Sequence, residues 1–144
     1  MLDLAQVTNN DVVMDIGCGD GRIVIEAAKR YGARGVCVDI DPRRIADARD
    51  NAASAGVADR IEFREQDAMK TDLKGITVVT LFLSWDLNIA LGPKLEKELP
   101  AGTRVVSHWH DMGDWPPERE IQVQAAGRKS RVYLFRSRGP SRGT

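Results

Sequence analysis

The sequence is poor in cysteine and has no metal-binding pattern. Its two cysteines, Cys18 and Cys37, do not form a C-x-x-C pair, and no histidine cluster accompanies them. A zinc site is therefore not expected. Thiols of intracellular proteins are normally reduced, so we expect both cysteines to behave as small apolar side chains.

An excess of charge of one sign is also missing. Lysine plus arginine number 21, as do aspartate plus glutamate, which leaves a formal net charge of zero at pH 7. The composition therefore gives no reason to expect a nucleic acid partner. Basic residues do gather near the C-terminus, where we predict a solvated strand followed by a flexible basic tail over residues 139–144. The alternative is a docking patch for an acidic partner.

No apolar run is long enough to span a bilayer, since the most apolar stretch, Val78 to Leu83, has only the length of a buried strand. The N-terminus has no charged segment followed by an apolar signal core. We therefore expect a cytoplasmic protein that acts as a monomer and has no membrane partner.

What the sequence does contain is an alternation of short apolar runs with helical segments. This pattern is typical of βαβ units in a mostly parallel sheet. The length of 144 residues favours one domain, which we place at residues 1–138. We predict a Rossmann-like α/β fold, with a seven-stranded mostly parallel sheet, an antiparallel last strand and helices on both faces. Gly92-Pro93 is expected to interrupt the helical region that follows the fourth strand.

A glycine-rich turn lies between the first strand and the first helix. It reads Asp15-Ile16-Gly17-Cys18-Gly19-Asp20-Gly21. Glycines let the backbone turn tightly and approach a ligand closely. A dinucleotide site requires G-x-G-x-x-G, but Arg22 occupies the position of the last glycine. The G-K-[S/T] ending of a P-loop is also absent, so a phosphate-binding role is disfavoured.

Two carboxylates near this turn favour a different ligand. Asp15 lies near the end of the first strand, just before the glycines, where it would repel a pyrophosphate and attract an ammonium or sulfonium group. Asp39 ends the second strand, where an acidic residue can accept hydrogen bonds from both hydroxyls of a ribose. A ligand with a ribose, positive charge and no phosphate fits S-adenosylmethionine. Each aspartate taken alone could instead be a turn or capping residue.

The motifs resemble those of class I S-adenosylmethionine-dependent methyltransferases. The glycine turn is similar to the first motif of that family, Val38-Asp39-Ile40-Asp41 to its acidic second-strand motif, and Gln66-Asp67-Ala68 to its third-strand motif. In the last of these, the acidic residue contacts the adenine amino group. The resemblance implies that the cofactor is held by Asp15, Gly17, Cys18, Gly19, Asp39, Ile40, Asp67, Ala68 and Leu83.

A narrower resemblance concerns the methyl acceptor. Residues 19–24, 92–99 and 104–108 are similar to a small group of protein-lysine methyltransferases of archaeal and mitochondrial type. This implies a protein substrate and transfer to a lysine ε-amine. The N/D-P-P-Y signature of methyltransferases that act on amide or base nitrogens is absent. The chain departs from the group in two ways: it opens almost at its first strand, and Ser84-Trp85-Asp86 is not a motif of the group.

Residues after the fourth and fifth strands are the candidates for binding the acceptor. Phe82, Leu83 and Trp85 could line an apolar channel, and Trp85 could hold an ammonium by cation–π attraction. His108 could accept a proton or bind the substrate backbone. We predict Ser84, Trp85 and His108 as substrate-binding residues and assign no catalytic residue. A small-molecule methyltransferase and a non-catalytic cofactor-binding module remain the alternatives.

Overall fold

Strands and helices alternate along the chain in the predicted way. The computed structural model describes residues 2–125 and 127–139, and the remainder of the predicted basic tail, residues 140–144, lies outside that part. The described strands are β1 Val12–Ile16, β2 Arg34–Asp39, β3 Ile61–Glu65, β4 Val78–Leu81, β5 Arg104–His108, β6 Arg119–Ala125 and β7 Arg128–Arg136. The α-helices are α1 Arg22–Tyr31, α2 Pro42–Ser54 and α3 Trp85–Glu98, and single 3-10 turns occupy Ala58–Arg60 and Ala68–Lys70.

The strands form one sheet with the order β3-β2-β1-β4-β5-β7-β6. The first five strands in this order are parallel, whereas β7 runs antiparallel to both β5 and β6. The predicted fold class is therefore confirmed. The chain reverses its direction of travel across the sheet between β1 and β4, so the switch point lies at the carboxyl end of β1. In open α/β sheets this is where ligands bind.

The two faces of the sheet carry different helices. On one face, Met14 and Ile16 of β1 pack in a cluster with Leu91 and Leu95 of α3. On the other face, Val13 packs with α1 and with the N-terminal segment, and β2 and β3 pack against α1 and α2. This separation follows from the alternation of side chains along a strand. The prediction of helices on both faces is confirmed.

The segment before β1 is fixed to the sheet by a buried ion pair. Asp11 and Arg104 form a salt bridge, with side-chain exposures of only 8% and 17%. The Thr77 hydroxyl donates to Asp11 Oδ1 at 2.8 Å, and Arg104 Nη1 donates to the Ala5 carbonyl at 2.6 Å. These contacts connect the N-terminal segment with β4 and β5 at the amino edge of the sheet, away from the glycine turn.

The predicted interruption at Gly92-Pro93 is wrong. The structure has one helix from Trp85 to Glu98, with Pro93 inside it. A proline ring clashes with the Cβ of the preceding residue in helical conformation, but Gly92 has no Cβ. Gly92 is also buried against Met112, whose Cε lies 3.7 Å from the place a Cβ would occupy. The helix therefore continues through a sequence that normally ends one.

The prediction of two reduced thiols is also contradicted, because Cys18 and Cys37 are joined by a disulfide. Their Cα atoms lie 5.3 Å apart, since the glycine turn curls back over β2 and the Cys18 amide donates to the Val38 carbonyl at 3.0 Å. No local sequence motif predicts this disulfide. It arises from strand pairing between segments that are distant in sequence.

The basic residues of the last two strands are partly neutralised. Arg131 pairs with Glu120 at 3.7 Å, and Arg136 pairs with Glu118 at 3.2 Å. These exposed pairs favour the solvated strand over the docking patch. Within residues 2–125 and 127–139, no helix has the length and apolar character needed to cross a membrane.

Candidate active site

The glycine turn forms the floor of a cleft at the carboxyl edge of the sheet. Gly17, Gly19 and Gly21 all have positive φ angles, of 74°, 57° and 83°. At Gly17 the requirement is strict, because a Cβ would lie only 2.6 Å from Leu83 Cδ2. The absence of this Cβ lets Leu83 close over the turn, so the cleft is shaped jointly by the ends of β1 and β4.

Asp39 holds the turn in place. Its Oδ2 accepts a hydrogen bond from the Gly19 amide at 3.0 Å, and its Oδ1 accepts one from the Asp41 amide at 2.9 Å. A carboxylate has further lone pairs, so these bonds leave acceptor capacity for a ligand. Asp39 lies on the wall of both cavities that make up the cleft.

The two cavities differ in character. The first, of about 430 Å³, has the more polar lining of the two and is called the polar cavity; it is lined by Asp15, Gly17, Cys18, Gly19, Asp20, Arg22, Ile23, Asp39, Arg44 and Phe82. The second, of about 490 Å³, is mostly apolar and is lined by Ile16, Gly17, Val38, Asp39, Ile40, Asp67, Ala68, Met69, Leu83, Leu87 and Leu91. Gly17 and Asp39 are common to both. A third cavity of about 530 Å³ beside Trp115 has no glycine turn and lies apart from these residues.

The apolar cavity suits a flat heterocycle. Ile40 is 71% exposed on its wall, where a side chain of this kind can cover the face of a ring. Asp67 Oδ1 accepts from the Met69 amide at 2.9 Å, which fixes the carboxylate at the start of the Ala68–Lys70 turn. Asp67 is therefore both a turn former and an acceptor that lines the cavity.

Asp15 gives the polar cavity an unusual carboxylate. It is 3% exposed, and its Oδ1 accepts from the Thr80 hydroxyl at 2.8 Å. Burial raises the pKa of Asp15 to about 7, with further contributions from the negative charges of Asp39 and Asp20, against the opposing effect of the Thr80 bond. A cationic group in the cavity would favour the ionised form.

Cys18 lines the polar cavity, but its side chain points into the core. It is 5% exposed and bonded to Cys37, packed with Ala28 and Ile45. Its contribution to a ligand is therefore through the backbone of the turn. The sequence indicated Cys18 only as part of the glycine motif and not as a crosslink.

Aromatic rings extend outward from the polar cavity. Phe82, which lines the cavity, stacks on the imidazole of His108 with ring centroids 4.3 Å apart and an interplanar angle of 14°. The His108 ring in turn meets the Trp109 indole edge-on at 5.8 Å. Phe82 is 57% and Trp109 48% exposed. The ends of β4 and β5 thus form an aromatic rim, defined as Phe82, His108 and Trp109.

The surroundings of the His108 imidazole disfavour its charged form. Its Nε2 lies 3.1 Å from the Ser130 hydroxyl, and its Nδ1 is buried with no hydrogen-bond partner in the described residues. Burial lowers the pKa of His108, and the charge of nearby His110 adds to this effect. In this conformation both ring nitrogens face the protein, so His108 supports Phe82 and does not offer a nitrogen to solvent.

The structure places Ser84 and Trp85 outside the two cavities. Ser84 caps α3, because its Oγ accepts from the Leu87 amide at 3.3 Å. Trp85 is 51% exposed in the first turn of the same helix. They lie beyond Phe82 and Leu83 at the mouth of the cleft and not in its interior.

Sequence reasoning missed several residues of the site. Met69, Leu87 and Leu91 complete the apolar wall, and the i, i+4 spacing of the two leucines on α3 was the available signal. Asn88 was missed entirely. It is fully buried, and its amide donates to Ser107 Oγ and to the carbonyls of His110 and Asp111 at 2.8, 3.1 and 3.2 Å. Nothing in its local sequence distinguishes it.

Within the described ranges, no group of three or more histidine, cysteine, aspartate or glutamate side chains is arranged to hold a metal ion. The residues that are present do fit S-adenosylmethionine. Asp39, whose carboxylate has acceptor capacity for a ribose, lies on the wall of both the apolar cavity and the polar one, and the polar one also carries the buried carboxylate of Asp15. The sheet order and this cleft define the class: the protein is an S-adenosylmethionine-dependent methyltransferase with a Rossmann-like fold.

Comparison with known proteins supports the class and gives the family. Residues 15–119 match the family described as the ANTKMT methyltransferase domain, and the chain belongs to that family. A protein-lysine N-methyltransferase of Saccharolobus islandicus is 43% identical over 136 residues, which cover 94% of this chain and 84% of that protein. A ribosomal protein L11 methyltransferase of Aeromonas hydrophila is 34% identical over 143 residues, covering 89% of this chain and 47% of that protein.

A solved structure is similar over nearly the whole chain. It is described as an RNA methyltransferase from Salinibacter ruber in complex with S-adenosyl-L-homocysteine. The two are 47% identical, with a TM-score of 0.88 and coverage of 99% of this chain and 90% of that one. That protein was thus crystallised with the demethylated product of the cofactor expected here. The predicted cofactor and the predicted enzyme class are confirmed.

Proposed function

We propose that this protein is a protein-lysine N-methyltransferase. The observation that carries the proposal is the aromatic rim at the mouth of a charge-lined cofactor cleft, on a molecule with zero net charge. The similarity to a protein-lysine N-methyltransferase over most of both chains supports the same acceptor.

We assign the two halves of the cofactor to the two cavities. Asp39 accepts the ribose hydroxyls, and Ile40, Asp67, Ala68 and Leu83 surround the adenine. Gly17, Gly19 and the backbone of Cys18 lie against the amino acid portion, and Asp15 provides negative charge near its cationic groups. When bound, S-adenosylmethionine supplies a methyl group activated by its positive sulfur.

The chain's own residues align the acceptor and remove water from it. A lysine must lose its proton before it can attack, and an apolar environment next to a positive charge lowers the pKa of its amine. Phe82 lies where the polar cavity opens, so its exposed ring can cover the aliphatic part of the lysine side chain. Ser84, Trp85 and His108 then stand around the entrance. Alignment of this kind accounts for a large share of the rate enhancement in group transfer.

RNA is the second candidate acceptor, and the Salinibacter ruber structure described as an RNA methyltransferase is the observation that favours it. Exposed aromatic rings can also stack on bases. Proteins that bind nucleic acid, however, normally present a strongly positive surface. Here two arginines of β7, Arg131 and Arg136, are paired with glutamates. This comparison favours protein over RNA.

The test is methyl transfer from radiolabelled S-adenosylmethionine to two separate pools. One is a protein extract treated with ribonuclease, and the other is total RNA freed of protein. We expect label in the protein pool, recovered as methyl-lysine after hydrolysis and mass spectrometry. Label in RNA alone would overturn the proposal and favour the second candidate. Label only in small molecules of an undialysed extract would favour a metabolite methyltransferase, and tight cofactor binding without transfer would favour a non-catalytic module.

A further inference from the structure

Trp109 has a backbone conformation that its residue type rarely adopts. Its φ is 74°, and Gln6, at 55°, is the other non-glycine residue with positive φ in the described ranges. A bulky side chain in this left-handed region is strained, and such strain is concentrated at functional sites. Burial of the side chain does not compensate for this backbone strain, because the indole is 48% exposed.

A buried network holds the segment that carries Trp109. The Trp109 amide donates to the Arg131 carbonyl of β7 at 2.7 Å. Beyond it, the His110 carbonyl accepts from the Ser107 hydroxyl at 2.6 Å and from the Asn88 amide at 3.1 Å. Asn88 Nδ2 also donates to Ser107 Oγ at 2.8 Å. Asn88 of α3 therefore contacts the Ser107 side chain on one side of Trp109 and the backbone carbonyls of His110 and Asp111 on the other.

A chain of ring contacts connects the indole to the cleft. Trp109 meets His108, His108 stacks on Phe82, and Phe82 lines the polar cavity. The outermost ring of the aromatic rim is thus the strained and exposed one. An indole face attracts an ammonium group and covers the methylene chain that bears it.

We propose that Trp109 is a specificity-determining residue that holds the side chain of the acceptor lysine, and that Asn88 is the positioning residue that sets its orientation. This inference rests on the proposed function. It assigns recognition of the lysine to a residue outside both cofactor cavities, so it predicts that binding of the acceptor and binding of the cofactor can be separated.

Trp109→Gly is the informative variant, because glycine accepts the left-handed conformation and removes only the indole. Methyl transfer is measured against increasing amounts of ribonuclease-treated protein extract, and cofactor affinity is measured by calorimetry. We expect the apparent KM for the extract to rise about tenfold, as expected for loss of one cation–π contact of moderate strength. The melting temperature should not fall, and the Kd for S-adenosylmethionine should not rise. Trp109→Phe, which keeps an aromatic face, should recover most of the loss.

The matched control is Gln6→Gly, which relieves the same kind of backbone strain in the N-terminal segment, away from the cleft. It should leave KM and kcat unchanged. Asn88→Ala should raise KM and also lower the melting temperature, because it breaks a buried network. If Asn88 acts through Trp109, the double variant should have a KM no higher than that of Trp109→Gly alone.

The outcomes separate this inference from the proposed function. If the wild-type protein methylates lysine and Trp109→Gly keeps its KM, Trp109 has no role in specificity and the inference is overturned while the function stands. If the wild-type protein labels RNA alone, both are overturned. A parallel rise in the cofactor Kd would show a general disturbance of the cleft and would also overturn the assignment.

Discussion

The Asp39 carboxylate accepts hydrogen bonds from the backbone of Gly19 and Asp41 and also lines both halves of the cleft. Asp39→Ala removes the ribose acceptor and the bond that holds the glycine turn. We expect cofactor binding to weaken by about 1–3 kcal/mol, the usual cost of losing hydrogen bonds to a charged group. Isothermal titration calorimetry measures the change.

The neighbouring Asp41 provides a control for this variant. Its Oδ1 accepts from the Arg43 amide at 2.9 Å and caps α2, but Asp41 lines neither cavity of the cleft. Asp41→Ala should cost about 1 kcal/mol of unfolding free energy and leave cofactor affinity unchanged. Undiminished affinity in Asp39→Ala would remove Asp39 from the ribose site.

Asp15 makes cofactor affinity depend on pH. Its pKa of about 7 in the free protein means that the carboxyl is mostly protonated at pH 6 and mostly ionised at pH 7.5. A cationic ligand prefers the ionised form, so affinity for S-adenosylmethionine should rise with pH by about eightfold over this range. Calorimetry at several pH values should show this rise in the wild type and its absence in Asp15→Asn. An equal pH dependence in the two proteins would contradict the assignment.

Those of the predicted site residues that the sequence could place at the cleft are the ones tied to a strand end. Asp39 and Asp67 follow strands whose position in the sheet could be predicted, so their location at the cleft followed from the topology. Asn88 and Trp109 could not be found in this way. The role of Asn88 depends on three acceptors from another part of the chain, and that of Trp109 depends on its φ angle, which no composition or spacing encodes.

At the scale of the elements, the ion pair between Asp11 and Arg104 connects the N-terminal segment to β5. Removing one partner of a buried pair leaves the other charge without compensation. Asp11→Ala should therefore lower the free energy of unfolding by about 3–5 kcal/mol, as measured by urea denaturation at pH 7. Glu118→Ala breaks the exposed pair with Arg136 and should cost less than about 1 kcal/mol. Similar losses in the two variants would contradict a special role for the buried pair.

The ion pair between Asp11 and Arg104 also determines how the free energy of unfolding changes at acidic pH. Burial acts to raise the pKa of Asp11, but hydrogen bonds from the Thr8 amide and the Thr77 hydroxyl, together with the Arg104 charge, lower it overall. The stabilisation is therefore complete above the pKa of the unfolded chain, about 3.9, and is lost as the pH falls through the lower folded value. The difference in stability between wild type and Asp11→Ala should shrink below pH 4.

Helices and strands whose ends carry local signals were predicted well, whereas features set by packing were not. Gly32 ends α1 in a left-handed conformation, and Asp41 with Pro42 begins α2; these residue types are typical of helix ends. The continuity of α3 through Pro93 depends on the burial of Gly92 against Met112, which is a tertiary contact. The Cys18–Cys37 bond likewise follows from the pairing of β1 with β2.

For the whole molecule, the charge balance predicts a weak response to salt. The affinity of an enzyme that binds a polyanion through six to ten phosphate contacts falls roughly a thousandfold or more between about 50 and 200 mM salt. Methyl transfer to the protein extract should change by less than about twofold over this range, and added RNA should not compete. A steep loss of activity with salt would indicate a nucleic acid acceptor.

The fold as a whole was predictable because hydrophobic periodicity and glycine turns repeat the same βαβ unit along the chain. The seven-stranded mostly parallel sheet and the antiparallel β7 agree with that expectation. The shape of the cleft was not predictable, because it combines backbone from β1, side chains from α3 and a leucine that follows β4.

Asp39, together with Gly17, belongs to both chambers of the cleft, and each chamber otherwise has its own lining. Adenosine and methionine, added as separate molecules, should therefore bind at the same time without displacing each other. A single ligand that occupies both chambers gains affinity from the covalent link, since binding of one end raises the effective concentration of the other end. The product, which keeps the tether and loses only the methyl group and its charge, is for the same reason a strong competitor of the substrate.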